Sequence, residues 1–353
     1  MPGSCTVRLI RILHLHHHVL TKNIPIFDKV QLIMKILTAL SCITMAASCL
    51  SCEKVATPIV KTVSYEVITL ESVLLTGEVI DGTGGAIKKR GFCWGTDPNP
   101  RLTDHSSENG SGPGVFSETI SNLTFGKSYF FKSYATDSIG TYFGEILSIK
   151  VELKPVFGTL TDSRDGNVYP TVKINNQTWM AKNLAYLPAV SPSTHSSDYA
   201  TYPYYYVYDF QDDSVTAAKA TGNYNTYGVL YNWAAAQVAC PTGWHLPSEG
   251  EWTILLDYLG STAVTLLEES GNSHWDIIGG TNLSGFTVLP GGQRMPIRIY
   301  GEFDLLGHCA YFWSSSENNP SLAQAFSMCY SGLALRWGSF ERQYGLSVRC
   351  LLN

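Results

Sequence analysis

Apolar and polar positions follow a period of two through the first folded stretch of this chain and mix that period with a helical one afterwards. VLLTGEV (73–79) places Val73, Leu75 and Val79 on one face. SYFFKSYATD (128–137) places Tyr129, Phe131, Ser133 and Ala135 on one side and Lys132 and Tyr134 on the other. Such alternation is the spacing of β-strands, whose successive side chains point to opposite faces. IDGTGGAI, GTDPNPR and NGSGPGV punctuate the runs with glycine and proline. Short strands at regular turn spacing predict a β-sandwich over residues 57–152. Pro155, in ELKPVFG (152–158), marks the seam.

Beyond the seam, TDSRDGNVYPTVKINNQTWMAKNL (161–184) predicts three strands joined by turns at Asp165-Gly166 and Asn175-Asn176. Helical spacing then enters. LYNWAAAQVA predicts a helix from about Leu230 to Ala239, stopped at Cys240-Pro241. Ser248-Glu249-Gly250-Glu251 has the form of a capping box, and Trp252, Leu255, Leu256 and Leu259 follow as one apolar stripe closed by Gly260. ACPTGWHLPSEGEW (239–252) therefore reads as a corner of the fold, although it gathers a histidine, two carboxylates and two tryptophans. His245 is expected to be half-buried and bonded to backbone; a general base needs a poised partner, and no nucleophile stands nearby in sequence.

ILTALSCITMAASCLS (36–51) is apolar, ends in small residues and leads into Cys52-Glu53-Lys54. It is near the length of a signal-peptide core and short for a spanning helix. Met34-Lys35 is the expected start, residues 1–33 with HLHHH at 14–18 being upstream of it, and 34–52 the signal segment. Its ending resembles a bacterial lipoprotein signal, with the lipid on Cys52 or, alternatively, Cys49. Simple secretion after a small-residue site is the competing reading. A lipidated terminus holds a protein on a membrane surface without a spanning helix.

Among 353 residues, 44% are apolar and only 15% charged, with 20 tyrosines and 31 glycines, a mix suited to extracellular β-rich domains. The net charge of -5 offers no basic footprint for nucleic acid. Past Cys52 the cysteines are Cys93, Cys240, Cys309, Cys329 and Cys350. Export permits disulfides, and four cysteines in the C-terminal half suit two bridges, leaving Cys93 as a buried small hydrophobe.

Positive signs of catalysis are few. Asp162, Asp165 and Asn167 lack the spacing and distant glutamate of a calcium loop. There is no GxSxG, P-loop or HExxH pattern, and the Gly-Gly pairs at 279–280 and 291–292 read as turns. A facing pair of glycosidase carboxylates is beyond sequence to exclude, and nothing points to one. Asp209, Asp212 and Asp213 read as a solvated loop. In TYPYYYVYDF (201–210), an extended chain would set Tyr202, Tyr204, Tyr206 and Tyr208 on one face, able to stack on sugar rings. The competing reading buries one side of that strand in the core.

GFCWGTDPNP (91–100) and NLTFGKSYFFKSYATDSIGTYFGE (122–145) resemble fibronectin type III-like modules of bacterial surface proteins. The resemblance implies a tyrosine corner at Tyr129, whose hydroxyl pins a strand start, and a role in spacing and display. DSRDGNVYPTVKINNQTWMAKNL, YGVLYNWAAAQVACPTGWHLPSEGEW, SGFTVLPGG, AYFWSSSE and GLSVRC together resemble the Fibrobacter succinogenes major paralogous domain family, from about Phe157 to Cys350. That implies a C-type-lectin-like fold over 156–353, with two helices on a small twisted antiparallel sheet and a long irregular loop region. Chain ends lie close in such a fold, which implies a Cys240–Cys350 bridge. Cys309 and Cys329 flank two strands and would form a second bridge if those strands pair antiparallel; two buried thiols are the alternative.

WHLPSEGEW is also similar to the helix start of formylglycine-generating-type enzymes, but those need reactive cysteines, and the cysteines here are assigned to bridges. Sugar-binding lectins of the fold use Glu-Pro-Asn or Gln-Pro-Asp and then Trp-Asn-Asp, all absent here. Glu317, Asn318 and Asn319 occupy the comparable neighbourhood and offer oxygens for a calcium ion, a polar turn being the alternative. No other cofactor is expected. The fold class expected is multidomain, an all-β fibronectin- or immunoglobulin-like sandwich followed by an α+β C-type-lectin-like domain. The function expected is non-enzymatic binding or adhesion at the cell surface or outer membrane, with polysaccharide or a surface protein as partner. A purely structural component and an unrecognised hydrolase are the alternatives.

Overall fold

The computed structural model describes residues 57–80, 86–195, 201–277, 279–297, 300–329 and 334–353, with six positions between Pro25 and Lys35. Of the expected signal segment 34–52, residues 36–52 with Cys49 and Cys52 lie outside the described residues, as do the histidines at 14–18. Two units are distinguished, Met1–Thr57 with Gly82–Gly84, and Pro58–Asp81 with Gly85–Asn353. In the first, Phe27, Val30, Gln31, Met34 and Lys35 are helical and exposed. Among the described residues no helix is long and apolar enough to cross a membrane.

The larger unit is multidomain in pattern and rich in β-structure. Its first strands are β1 (Ile59–Thr69), β2 (Ser72–Ile80), β3 (Lys89–Gly95), β4 (His105–Ser106), β5 (Gly114–Ile120), β6 (Ser128–Thr136), β7 (Thr141–Phe143) and β8 (Leu147–Lys150). β1-β2-β5 make one antiparallel sheet; β4-β3-β6-β7 make a second, with β8 also on β6. Val73, Leu75 and Val79 are at most 1% exposed and share one core with Phe92, Phe131 and Ala135 of the other sheet. The Phe92 and Phe116 rings lie 5.0 Å apart across it. Gly77 leaves room for that packing, since a Cβ there would fall 2.7 Å from the Phe116 ring. The Tyr129 hydroxyl accepts from the Thr124 N–H at 3.0 Å, which fixes the chain entering β6.

Simple alternation understates the burial of β6. Lys132 and Tyr134, expected opposite the core face, are buried too. The Lys132 ammonium donates to Asn99 Oδ1 and lies 4.4 Å from the Phe143 ring centre, and the Tyr134 hydroxyl donates to the Ser107 carbonyl. Cys93 is free and buried, and burial pushes its thiol up to about 11.

The remaining strands are β9 (Val156–Thr161), β10 (Val168–Ile174), β11 (Gln177–Met180), β12 (Tyr205–Tyr206), β13 (Leu230–Tyr231), β14 (Trp244–His245), β15 (Gly291–Ile297), β16 (Tyr300–Leu306), β17 (Cys309–Asn319), β18 (Leu322–Cys329), β19 (Ala334–Glu341) and β20 (Leu351–Leu352). The two turns expected at 165–166 and 175–176 join β9, β10 and β11 into one antiparallel run. The sheet order is β14-β20-β11-β10-β9, beside a three-stranded β17-β18-β19 sheet and two ribbons, β12-β13 and β15-β16. Trp252 is fully buried between the sheets, its ring 4.6 Å from Trp179 and 4.9 Å from Phe326. The two expected bridges are present, Cys240–Cys350 and Cys309–Cys329. Cys309 and Cys329 are direct partners in the β17–β18 register.

The second long helix, Glu249–Leu259, starts as its sequence dictates. Ser248 accepts from the Glu251 N–H, and Glu251 accepts from the Ser248 N–H and hydroxyl. Gly260 ends it with φ of 60°, and its N–H donates to the Leu256 carbonyl. A Cβ at Gly260 would collide with Glu71, whose carboxylate accepts from the Ser261 N–H at 2.9 Å. The Leu70 N–H donates to the Tyr258 carbonyl beside it, so the β1–β2 turn docks on the end of this helix.

The cap makes stability depend on acid. Burial alone would raise the Glu251 carboxyl, but the bonds from Ser248 and His245 outweigh it and hold the group below its ordinary value of 4.5. A carboxyl with a lowered folded-state pKa contributes stability above the unfolded value, lost as pH falls through the folded one. We expect the unfolding free energy to fall between pH 4.5 and lower pH and Glu251→Gln, which keeps a cap acceptor, to flatten that slope. Glu251→Ala should cost about 1 kcal/mol at pH 7. Denaturant titrations at several pH values check both, and equal slopes for wild type and Glu251→Gln would count against the assignment.

Candidate functional site

Tyr202 to Tyr208 do not form the extended aromatic face expected of them. Only Tyr205–Tyr206 is strand, paired with Leu230–Tyr231. That pairing also delays the preceding helix, which runs from Trp233 to Ala239 rather than from about Leu230. Tyr204 and Tyr206 do stack, with ring centres 6.4 Å apart and planes within 10°. Tyr206, however, is fully buried, with the Arg294 guanidinium 4.8 Å from its ring centre, and Tyr208 is half-buried against Phe303. Tyr202 is the exposed member, at 61%.

A buried asparagine organises this loop. Asn232 caps the helix Trp233–Ala239 by accepting from the Ala235 N–H at 3.0 Å, and the same oxygen accepts from the Tyr204 N–H at 2.8 Å. Its amide donates to the Tyr202 carbonyl at 2.6 Å, and its own N–H donates to the Tyr204 carbonyl. Three bonds from one fully buried side chain and its backbone thus hold the segment that presents Tyr202 and Pro203 outward, and a fourth caps the helix. An N-cap asparagine before an alanine-rich helix is a signal visible in the sequence; its grip on a distant loop is not.

Arg342 joins the second expected cluster to the first. Its guanidinium lies 4.2 Å from the Trp233 ring centre, pairs with Glu317 at 2.9 Å and donates to the Asn319 carbonyl at 2.9 Å. The Trp233 N–H donates to the Arg342 carbonyl. Contacts therefore run from the tyrosine loop through Asn232, Trp233 and Arg342 to the β17–β18 hairpin.

The oxygens of that hairpin do not fit a calcium ion. Asn319 Oδ1 accepts from the Ser321 and Leu322 N–H groups, as a turn former. Asn318 donates to Ser339, and Glu317 pairs with the Arg342 guanidinium at the surface. Hard cations need several oxygens converging on one point. Among the described residues no group of three or more histidines, cysteines, aspartates or glutamates is disposed to hold a metal.

Other expected positions are placed differently. His245 is half-buried, but its partners are side chains: Asn353 Oδ1 at 2.6 Å and Glu251 Oε1 at 2.9 Å. Its ring ties the capping carboxylate to the last strand. Asp162 is buried and paired with Arg164, whose guanidinium stacks 3.7 Å from the Tyr186 ring centre. Asp209, Asp212 and Asp213 are exposed. Two histidine–carboxylate pairs, His274–Glu269 and His308–Asp276, were not singled out by motif. Burial first, then Glu269 and Asp276, raises the hydroxyl of the neighbouring Tyr227.

Buried or stacked arginines were also missed, Arg342, Arg294 and Arg349 among them. Arg294 donates to the Ser193, His195 and Gln343 carbonyls, and burial lowers its pKa. Arg349, within GLSVRC, donates to Asn183 and to the Met180, Phe286 and Thr287 carbonyls. Guanidinium groups here staple irregular loops, which no local pattern announces.

No curated protein matches this chain. Residues 172–351 match the Fibrobacter succinogenes major domain, half of the chain, and the chain belongs to that family.

Proposed function

We propose that this chain is an exported surface lipoprotein that binds polysaccharide without catalysis. In this reading Cys52, or else Cys49, carries the lipid; residues 57–152 are a fibronectin type III-like spacer; and 156–353 are a C-type-lectin-like binding domain. Two disulfides suit an oxidising compartment outside the cytoplasm. The Tyr129 hydroxyl bonded to the backbone five residues upstream is what a tyrosine corner requires. Two helices packed on β17 and β18, beside a five-stranded antiparallel sheet and with Cys240 bridged to Cys350, suit a lectin-like layout.

One observation carries the binding role: Tyr202, 61% exposed, stands on a loop immobilised by buried Asn232. A flat ring with a polar tip, on a backbone already held in place, stacks on a sugar face at reduced entropic cost. The test is a glycan and polysaccharide screen on the purified full chain, run with calcium and again with EDTA. Saturable binding that survives EDTA is expected, because the Glu317 and Asn319 oxygens are engaged by protein donors. Binding abolished by EDTA would move the site to a metal, and no binding to any glycan would leave a structural surface component.

A further inference from the structure

β9 is the outer strand of its sheet, with β10 on one side and no described strand on the other. The direction of its free backbone groups follows from the ladder. The Asp162 N–H donates to the Asn167 carbonyl, so residue 162 faces β10, and the even-numbered residues before it do the same. Thr159 lies opposite Pro170, which has no N–H and whose carbonyl accepts from Ala181 on the far side. Phe157, Thr159 and Thr161 therefore turn their N–H and C=O groups to the open edge. Among the described residues none bonds to these six groups.

Natural sheets blunt such edges with charge, proline or a bulge inside the strand. VFGTLT contains none of these, and Val156 and Phe157 are 64% and 67% exposed. We propose that β9 pairs antiparallel with β9 of a second copy of this chain. The register is decided by counting. Centring the two-fold axis on Thr159 pairs Thr159 with its counterpart, and Phe157 of each copy with Thr161 of the other, so all six groups on each strand are used. Shifting the axis to residue 158 or 160 leaves one residue of each strand unpaired. The strand bears no charge, so self-pairing sets no like charges opposite one another within it. The two copies meet through identical patches, as a closed two-fold dimer requires.

The test is sedimentation of the full chain, kept in mild detergent, over a range of concentrations. Thr159→Pro deletes an edge N–H without touching the β10 ladder, and Phe157→Lys sets a cation at both ends of the shared pairing. The wild type should show a monomer–dimer equilibrium, with the Thr159 amide protected from exchange only at high concentration. Each variant should weaken the dimer by about tenfold or more. If Thr159→Pro unfolds the protein, Phe157→Lys and the exchange data decide alone. A monomer at every concentration, or a dimer unchanged by the variants that fold, would overturn the proposal and leave the edge to a foreign strand or to solvent.

Discussion

Replacing Cys240 and Cys350 together by alanine is expected to lower the unfolding free energy by about 4–5 kcal/mol, the chain-entropy value for closing a loop of about a hundred residues. The two cysteines are 110 positions apart, and the bridge binds the end of the helix Trp233–Ala239 to the residue just before β20. β20 is the centre of that end of the sheet, pairing with β14 on one side and β11 on the other. The Cys309–Cys329 bridge spans 20 positions between strands already in register. Its removal should cost less, about 3 kcal/mol. Urea titration of the two double variants under oxidising conditions gives the order. A larger loss from Cys309→Ala/Cys329→Ala would show that the long loop is held closed by packing instead.

Arg349→Met is expected to cost about 3–5 kcal/mol, although it removes a buried charge. The guanidinium is fully buried, between the Phe286 and Phe312 rings at 4.9 and 5.6 Å. Burial pushes it down to about 9, so it remains charged at neutral pH. Among the described residues no carboxylate pairs with it. Four oxygens do: Asn183 Oδ1 and the Met180, Phe286 and Thr287 carbonyls, all within 3.1 Å. Methionine fills much of the volume and leaves those acceptors dry, at about 1–3 kcal/mol each, offset in part by relief of the guanidinium's own dehydration. Arg349→Lys should also destabilise, by less, since one ammonium has three donors and no planar fork. Denaturant midpoints for both variants check the order; a neutral Arg349→Met would mean the carbonyls find other donors.

The cysteine pairs and Arg349 mark where sequence is legible and where it is not. The Cys240–Cys350 pair was readable once the family resemblance supplied the closeness of the chain ends, and Cys309–Cys329 only on condition that their strands pair, as β17 and β18 do. The β9–β10–β11 run and the cap of Glu249–Leu259 were readable locally, because turn and capping chemistry is spelled within a few residues. Arg349 was not, since three of its four acceptors are backbone carbonyls, which have no residue type, and the fourth, Asn183 Oδ1, is 166 positions away. Arg294 escaped for the same reason, its acceptors being the Ser193, His195 and Gln343 carbonyls, and Arg342 because its ring partner, Trp233, is far away in sequence. The tyrosine strip was readable only in part: burial of some of its rings agrees with the competing reading, whereas the bonds from Asn232 that set Tyr202 outside are made by a residue about thirty positions away.

The most direct measurement of the binding role is a calorimetric titration of the full chain with the tightest glycan of the screen, wild type beside Tyr202→Ala. Loss of one stacked ring should weaken binding about tenfold or more, with Glu317→Gln close to wild type. An unchanged isotherm for Tyr202→Ala would contradict the tyrosine loop as the site.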